Sequence, residues 1–288
     1  MSRSVEDILE RPLKLPPRTE NNDLLGMYKD WQRRKNMVRK NRAWILGIIF
    51  LVVAWSWYAT EFTLLYLISG AGNIAAFIAT DLFPPDLSSI PMFIGPALET
   101  LYMSYAGMVI SAVISLILAF LIARNTTFHP IISFVCRSIV TFLRAVPALV
   151  WGIILVSAIG LGPFAGMVAV ALSGVGILGK AFSDIVEEID MDQVGAVKAT
   201  GANWFQVVGQ GVWPQFKTGF VGWSLYKLDL NIREAAVLGM VGAGGIGLVL
   251  ERSISLFQYQ EAAMGILMIF ALILLVEFTT AKIRERIL

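Results

Sequence analysis

Six stretches of this chain are apolar for about the length a helix needs to cross a membrane, at 44–68, 96–123, 132–159, 164–182, 216–238 and 262–281. A hydrocarbon core of about 30 Å takes about 20 such residues as helix. Lipid satisfies no backbone N–H or C=O, so each span must bond internally. The expectation is an all-α membrane protein of about six transmembrane helices. Composition agrees, with 57% hydrophobic and only 15% charged residues and a mean hydropathy of +0.70; soluble domains carry about 25% charged residues. The first stretch is long enough to run past the bilayer. Arg137, Arg144 and Pro147 weaken the third, and Lys227, Asp229, Arg233 and Glu234 interrupt the fifth. The basic region before Trp44 is too long for a cleaved signal peptide, so none is expected.

Orientation follows from the flanking cations. Arg33, Arg34, Lys35, Arg39, Lys40 and Arg42 stand directly before the first stretch, which makes that end cytoplasmic. Six spans return the C-terminus, with Lys282, Arg284 and Arg286, to the same side. Residues 61–95 contain no Lys or Arg, and 160–163 are uncharged, as external segments should be. Arg124, Lys180, Lys198 and Lys217 fall inside; Arg252 is the one external exception. Residues 1–43 form a basic cytoplasmic tail with eleven Lys/Arg and six Asp/Glu. Pro12, Pro16 and Pro17 break its front half. Its second half, 24–42, reads either as an amphipathic helix on the anionic inner leaflet or as a partly disordered tail carrying the topology signal. Residues 44–288 form the transmembrane domain, with an external segment at 69–95. Within that segment, 73–82 reads as a short interfacial helix or a plain loop, ended by Pro84-Pro85.

One cysteine, Cys136, and one histidine, His129, exclude a disulfide within the chain and supply no metal-binding cluster. No catalytic residue and no bound cofactor is expected. A membrane enzyme needs clustered His, Asp or Cys at its site, which this chain lacks. The run Gly242, Gly244, Gly247 spells a dinucleotide-binding loop, but no strand precedes it. Tight backbone packing and a re-entrant turn are the better reading.

The polar run 195–214, inside a cytoplasmic segment spanning 184–214, is too long and too patterned to be a tether. Gly201 can end one short helix and Asn203 can cap the next. Pro214 then opens the fifth span, where its missing N–H costs little. Small residues Gly195, Ala196 and Ala199 let another backbone approach closely. Two short helices on such a seam make a rigid knob for a soluble partner.

The loop resembles the EAA loop of ABC-importer permeases, in which Glu-Ala-Ala, three residues, Gly and nine residues precede Ile-x-Leu-Pro. Ala196, Gly201 and Pro214 match. Gly195 stands where the pattern has its glutamate and can form no salt bridge; Glu187, Glu188, Asp190 and Asp192 are the acidic candidates nearby. Further segments are similar to the phosphonate-type branch: Arg144-Ala145-Val146-Pro147, Gly160 to Gly166, Leu178-Gly179-Lys180, Pro84-Pro85-Asp86, Leu98-Glu99-Thr100-Leu101, Ala123-Arg124-Asn125, and above all Asn231-Ile232-Arg233 with Val237 to Gly247. The resemblance covers residue 83 to the C-terminus. It implies a type I importer permease fold in a bacterial inner membrane. It also implies a second permease subunit (identical or a paralogue), two ATPase subunits that bind ATP and Mg, and a periplasmic or lipid-anchored binding protein. The family carries phosphonates and, in some members, phosphite or hypophosphite. No nucleic acid enters this picture.

Charges at membrane depth face a pore or a partner. Arg144 and Arg233 are candidates to line an oxyanion's route, since arginine offers paired donors. Asp229, one turn before Arg233, either tunes it or closes a self-satisfied pair at a dimer seam. Glu99, near the outer end of the second span, is a gate candidate or an interfacial residue. Two other functions compete. One is a permease for another small solute, such as an amino acid. The other is an ion-coupled secondary transporter, which would show inverted repeats and discontinuous spans in both halves; no convincing repeat is present.

Overall fold

Prolines and glycines set where the helices start and stop. The computed structural model describes residues 21–61, 63–127 and 129–287, and among them there is no strand. The helices are α1 (Asn21–Ala59), α2 (Leu64–Phe77), α3 (Ile90–Ile122), α4 (Pro130–Ala145), α5 (Ala148–Ile159), α6 (Pro163–Glu187), α7 (Met191–Ala199), α8 (Trp204–Val207), α9 (Trp213–Gly239), α10 (Ile246–Ser255) and α11 (Tyr259–Ile287). Pro130, Pro163 and Pro214 all lie in first turns, where no intrahelical N–H is needed. By length and composition, four described helices can cross a membrane: Trp31–Ala59, α3, α6 and α11. Helices α4 and α5 together pass the same test as one bent pair. Helix α9 has the length, at 27 residues, but its charges keep it out of an apolar count.

Several boundaries differ from expectation for local reasons. The first span ends at Ala59, not near residue 68. Thr60 folds its hydroxyl back onto Ser56 O at 2.6 Å, and Glu61 turns into the left-handed region. The apolar residues after that turn form α2, continued by a π-helical turn (Ile78–Leu82). The short helix expected at 73–82 is therefore the second half of a longer one. Helix α3 starts at Ile90 and carries Pro96 in its interior; Thr100 Oγ1 donates to the Pro96 carbonyl at 3.0 Å. The third stretch is broken at Val146-Pro147 and bends by 91°. Val146 is extended (φ −93, ψ 120), as the residue before a proline prefers. The prolines of the N-terminal tail lie outside the described residues; residues 21–42 belong to α1.

The chain divides at Gly72 into two units. In the first, α1 leaves Trp44, Phe50, Leu51 and Trp55 exposed, as a lipid-facing helix does. In the second, α6 is the central element: its apolar window is 61% buried against 33% for α3 and α11. It packs on α3, α4, α5 and α9. Small residues permit this. A side chain at Gly107 of α3 would collide with Val170, and one at Gly176 of α6 with the Arg144 backbone. Buried serines on the same helices return their hydroxyls to backbone carbonyls, as Ser104 does to Thr100 O (2.7 Å) and Ser111 to Met108 O (2.8 Å).

Candidate functional site

The segment after α6 is built as a rigid two-helix loop. Asp190 caps α7, accepting from Asp192 N at 2.9 Å and Gln193 Nε2 at 3.0 Å. Gly201 ends it with φ +81, a conformation that costs other residues about 1–2 kcal/mol. Asn203 caps α8 reciprocally: its Oδ1 accepts from Gln206 N (3.0 Å), and Gln206 Oε1 accepts from Asn203 N (2.9 Å). A single π-helical turn (Val208–Val212) then leads into α9. Gln215 fastens the loop to that helix, accepting from Asp190 N at 3.0 Å and donating to Gly211 O at 2.8 Å.

Two side chains anchor the loop to the membrane unit. Val194 and Val207, 2% and 6% exposed, join a core with Leu178, Phe182, Val186 and Phe216. Ring contacts link Phe182, Trp213, Phe216 and Phe220. The loop is thereby packed against the ends of α6 and α9. The outer face is the opposite in character. Gly195, Ala196, Ala199, Gly201 and Pro214 are exposed, and a side chain at Gly195 or Gly201 would meet nothing within 4 Å. Of the nearby acids, Glu187 accepts from Arg124 N and Arg137 Nη2, both at 3.2 Å, and Asp190 is the cap. Glu188 and Asp192 are exposed, and their side chains have no partner among the described residues.

A second candidate lies where α4, α5, α6 and α9 meet. The break at Pro147 opens a cleft of about 490 Å³ lined by Arg144, Pro147, Ser173, Arg233, Glu234 and Val237 among others. Arg144 stands in the last turn of α4, where a cation opposes the negative end of the helix dipole. Its side chain has no hydrogen-bond or ion-pair partner among the described residues. Arg233 is held by Asp229, with Nη2 at 2.9 Å and 3.2 Å from the two carboxylate oxygens, and lies 3.9 Å from Glu277 of α11. Arg233 remains 48% exposed while Asp229 is 16% exposed. The structure thus brings Arg144 and Arg233 into one cleft, with Asp229 as the second arginine's partner.

Glu99 is placed elsewhere. Its Oε2 accepts from Gly245 N at 2.8 Å, and the neighbouring Thr100 Oγ1 accepts from Ile246 N at 2.9 Å. Two side chains of α3 therefore satisfy the first N–H groups of α10, which would otherwise lack partners. They hold the glycine turn in which Gly242, Gly244 and Gly245 have φ of +92, +78 and +73. A helix, α9, precedes that turn, and a side chain at Gly247 would collide with Ala236 O; the glycines allow α9 and α10 to pack backbone to backbone. Glu99→Ala is expected to cost about 1.5–3 kcal/mol, the value of a hydrogen bond to a charged group, measured as a lowered midpoint of thermal unfolding in detergent.

Sequence reasoning passed over Lys227 and Glu234 except as interruptions of the fifth span. Lys227 is fully buried; its Nζ donates to Glu234 Oε2 at 2.9 Å and Ser173 Oγ at 3.3 Å. Asn231, one turn further along α9, is also buried and donates to Ser104 O at 3.0 Å. The signal available was their spacing, since Lys227, Asn231 and Glu234 share one helix face.

Several helices of this length and apolar character make the chain a multi-pass membrane protein. The chain belongs to the family of binding-protein-dependent transport system inner membrane components, whose pattern matches residues 112–287. It is 38% identical over 271 residues to the phosphite transport system permease protein PtxC of Stutzerimonas stutzeri, covering 94% of this chain and 96% of the relative. It is also 38% identical over 239 residues to the phosphate-import permease protein PhnE of Mycolicibacterium smegmatis, covering 83% of this chain and 44% of that longer protein. Among solved structures, the inward-facing MetNI methionine ABC transporter matches with a TM-score of 0.61 at 21% identity, over 70% of this chain and 99% of that one. A bacterial ABC transporter importing alginate matches at 0.59 and 13% identity, over 90% of this chain and 99% of that one. These two likenesses establish the importer-permease fold.

Proposed function

We propose that this chain is the membrane-spanning subunit of an ATP-driven importer for phosphite, phosphonate or a related phosphorus oxyanion in a bacterial inner membrane. The observation that carries the substrate class is identity of 38% maintained over 94% of the chain with a phosphite transport permease. The cleft supports it: two arginines converge there, one of them unpaired, and paired guanidinium donors suit an oxyanion. In this reading Arg144 and Arg233 line the route, and Asp229 orients Arg233. Glu99 acts on the glycine turn, not on the substrate.

The chain works with a second permease subunit, identical or a paralogue, and with a periplasmic or lipid-anchored binding protein. ATP and Mg are bound by two separate ATPase subunits and not by this chain. Residues 184–214 are the coupling loop. The exposed small face of Gly195, Ala196 and Ala199 admits the ATPase, and Glu188 and Asp192 supply the negative charge that Gly195 lacks. The described helix count leaves the six-span, N-in/C-in topology as part of this proposal, with α9 as the charged span at the pathway. The 38% identity to a phosphate-import permease favours orthophosphate as the second reading.

Growth separates these. Cells lacking the chain, grown with phosphite, methylphosphonate or orthophosphate as the limiting phosphorus source, are expected to fail on a reduced source and recover when the chain is restored. Recovery on orthophosphate alone favours the second reading, and unimpaired growth on all three overturns both.

A further inference from the structure

Lys227 lies behind the wall of the cleft that Arg144 and Arg233 enter, and the groups it bonds, Glu234 and Ser173, are part of that wall. Seven residues of α9 separate lysine and glutamate, about 10.5 Å of helical rise, so the lysine stem must run along the helix. It does so across Gly174 of α6, where a Cβ would come within 3.2 Å of Lys227 Cε. A buried ammonium is costly without a partner. Here the partner faces the cleft: the Glu234 side chain is 27% exposed, the Lys227 side chain 0%. One reachable carboxylate therefore conceals a cation that the cleft does not otherwise expose. Asn231, one turn from Lys227 on the same helix face, has its Oδ1 buried and without a hydrogen-bond partner among the described residues.

We propose that the Glu234 carboxylate occupies the place of the transported oxyanion. An oxyanion reaching the cleft displaces Glu234 from Lys227 Nζ, and Lys227 becomes its third cationic ligand beside Arg144 and Arg233. The exchange is chemically even-handed, since carboxylate and phosphorus oxyanion both offer anionic oxygens to the same ammonium. The empty permease is thus closed by an internal mimic of its cargo. This inference rests on the reading of the Arg144–Arg233 cleft as the oxyanion's route.

The test is equilibrium binding of labelled phosphite to the complete purified complex, with its ATPase subunits retained. Glu234→Gln removes the competing charge and keeps the shape; binding is expected to tighten at least about tenfold. Glu234→Asp, which withdraws the carboxylate by one methylene, should give a smaller gain in the same direction. Adding Lys227→Met to Glu234→Gln removes the ligand without stranding a buried charge, and the gain should vanish. Equal binding by the wild type and both Glu234 variants overturns the proposal. So does a gain that survives Lys227→Met. Arg144→Gln and Arg233→Gln separate it from the reading beneath it: if they bind phosphite as the wild type does, the route itself is wrong. If they lose binding while Glu234→Gln gains nothing, only the exchange at Lys227 is wrong.

Discussion

Uptake is expected to fall on the order of 10- to 100-fold when Arg144 or Arg233 is replaced by glutamine, with the ATPase still attached. The loss of one charge-assisted hydrogen bond, about 1.5–3 kcal/mol, slows transport on the order of 10- to 100-fold. The two substitutions differ in what they leave behind. Arg144 is exposed in the cleft without a partner, so Arg144→Gln strands nothing and its effect on stability should stay within about 0.5 kcal/mol. Arg233→Gln leaves Asp229, only 16% exposed, without its cation. Pairing it with Asp229→Asn removes that cost. The double variant should therefore assemble as the wild type does and still fail to transport. If the pair served only a dimer seam, the double variant would transport normally, and that result would sink the pathway role of Arg233. Uptake into vesicles, with ATPase copurification on the same preparations, reads both quantities.

Replacing Gly201 with leucine is expected to strip the ATPase from a permease that remains folded. The backbone there has φ +81, which a non-glycine residue adopts at a cost of about 1–2 kcal/mol. The new side chain meets nothing within 4 Å of its own chain, and Val194 and Val207 hold both short helices on the aromatic core. The fold therefore tolerates the change. In the proposed docking, an ATPase cleft fitted to a bare backbone would not tolerate it, because Gly201 is exposed. Gly201→Asn is the matched control, because asparagine accepts the left-handed conformation and adds less bulk; it should keep a larger share of the ATPase. Gly201→Leu complexes that copurify intact would contradict docking at this loop.

Much of the fold could be read from single residues, and the site only in pieces. Pro214 marked a helix start because its chemistry is local. Gly201 and Asn203 did the same for the loop, where conformation and capping are decided within a few residues. Hydropathy failed where the determinant is a turn inside apolar sequence. The chain stays apolar after Ala59, so a window ran on toward residue 68. It is apolar on both sides of Pro147, so a 91° bend looked like one weakened span. The charges showed the converse limit. Asp229 and Arg233 are four apart on one helix, and their pairing followed from spacing alone. Arg144 shares a cleft with Arg233 only because the chain breaks at Pro147, and Glu99 reaches Gly245 only because α3 passes the glycine turn. Lys227 was hidden most completely. Its partner is two turns away, and its burial depends on Ser173 and Gly174 of another helix.

The most direct measurement is transport by the purified whole. The chain is reconstituted in vesicles with its permease partner, ATPase subunits and binding protein, and supplied with ATP and labelled phosphite or methylphosphonate. ATP-dependent accumulation of the phosphorus oxyanion is expected, undiminished by an excess of amino acids. Accumulation of an amino acid with none of the oxyanion would contradict it.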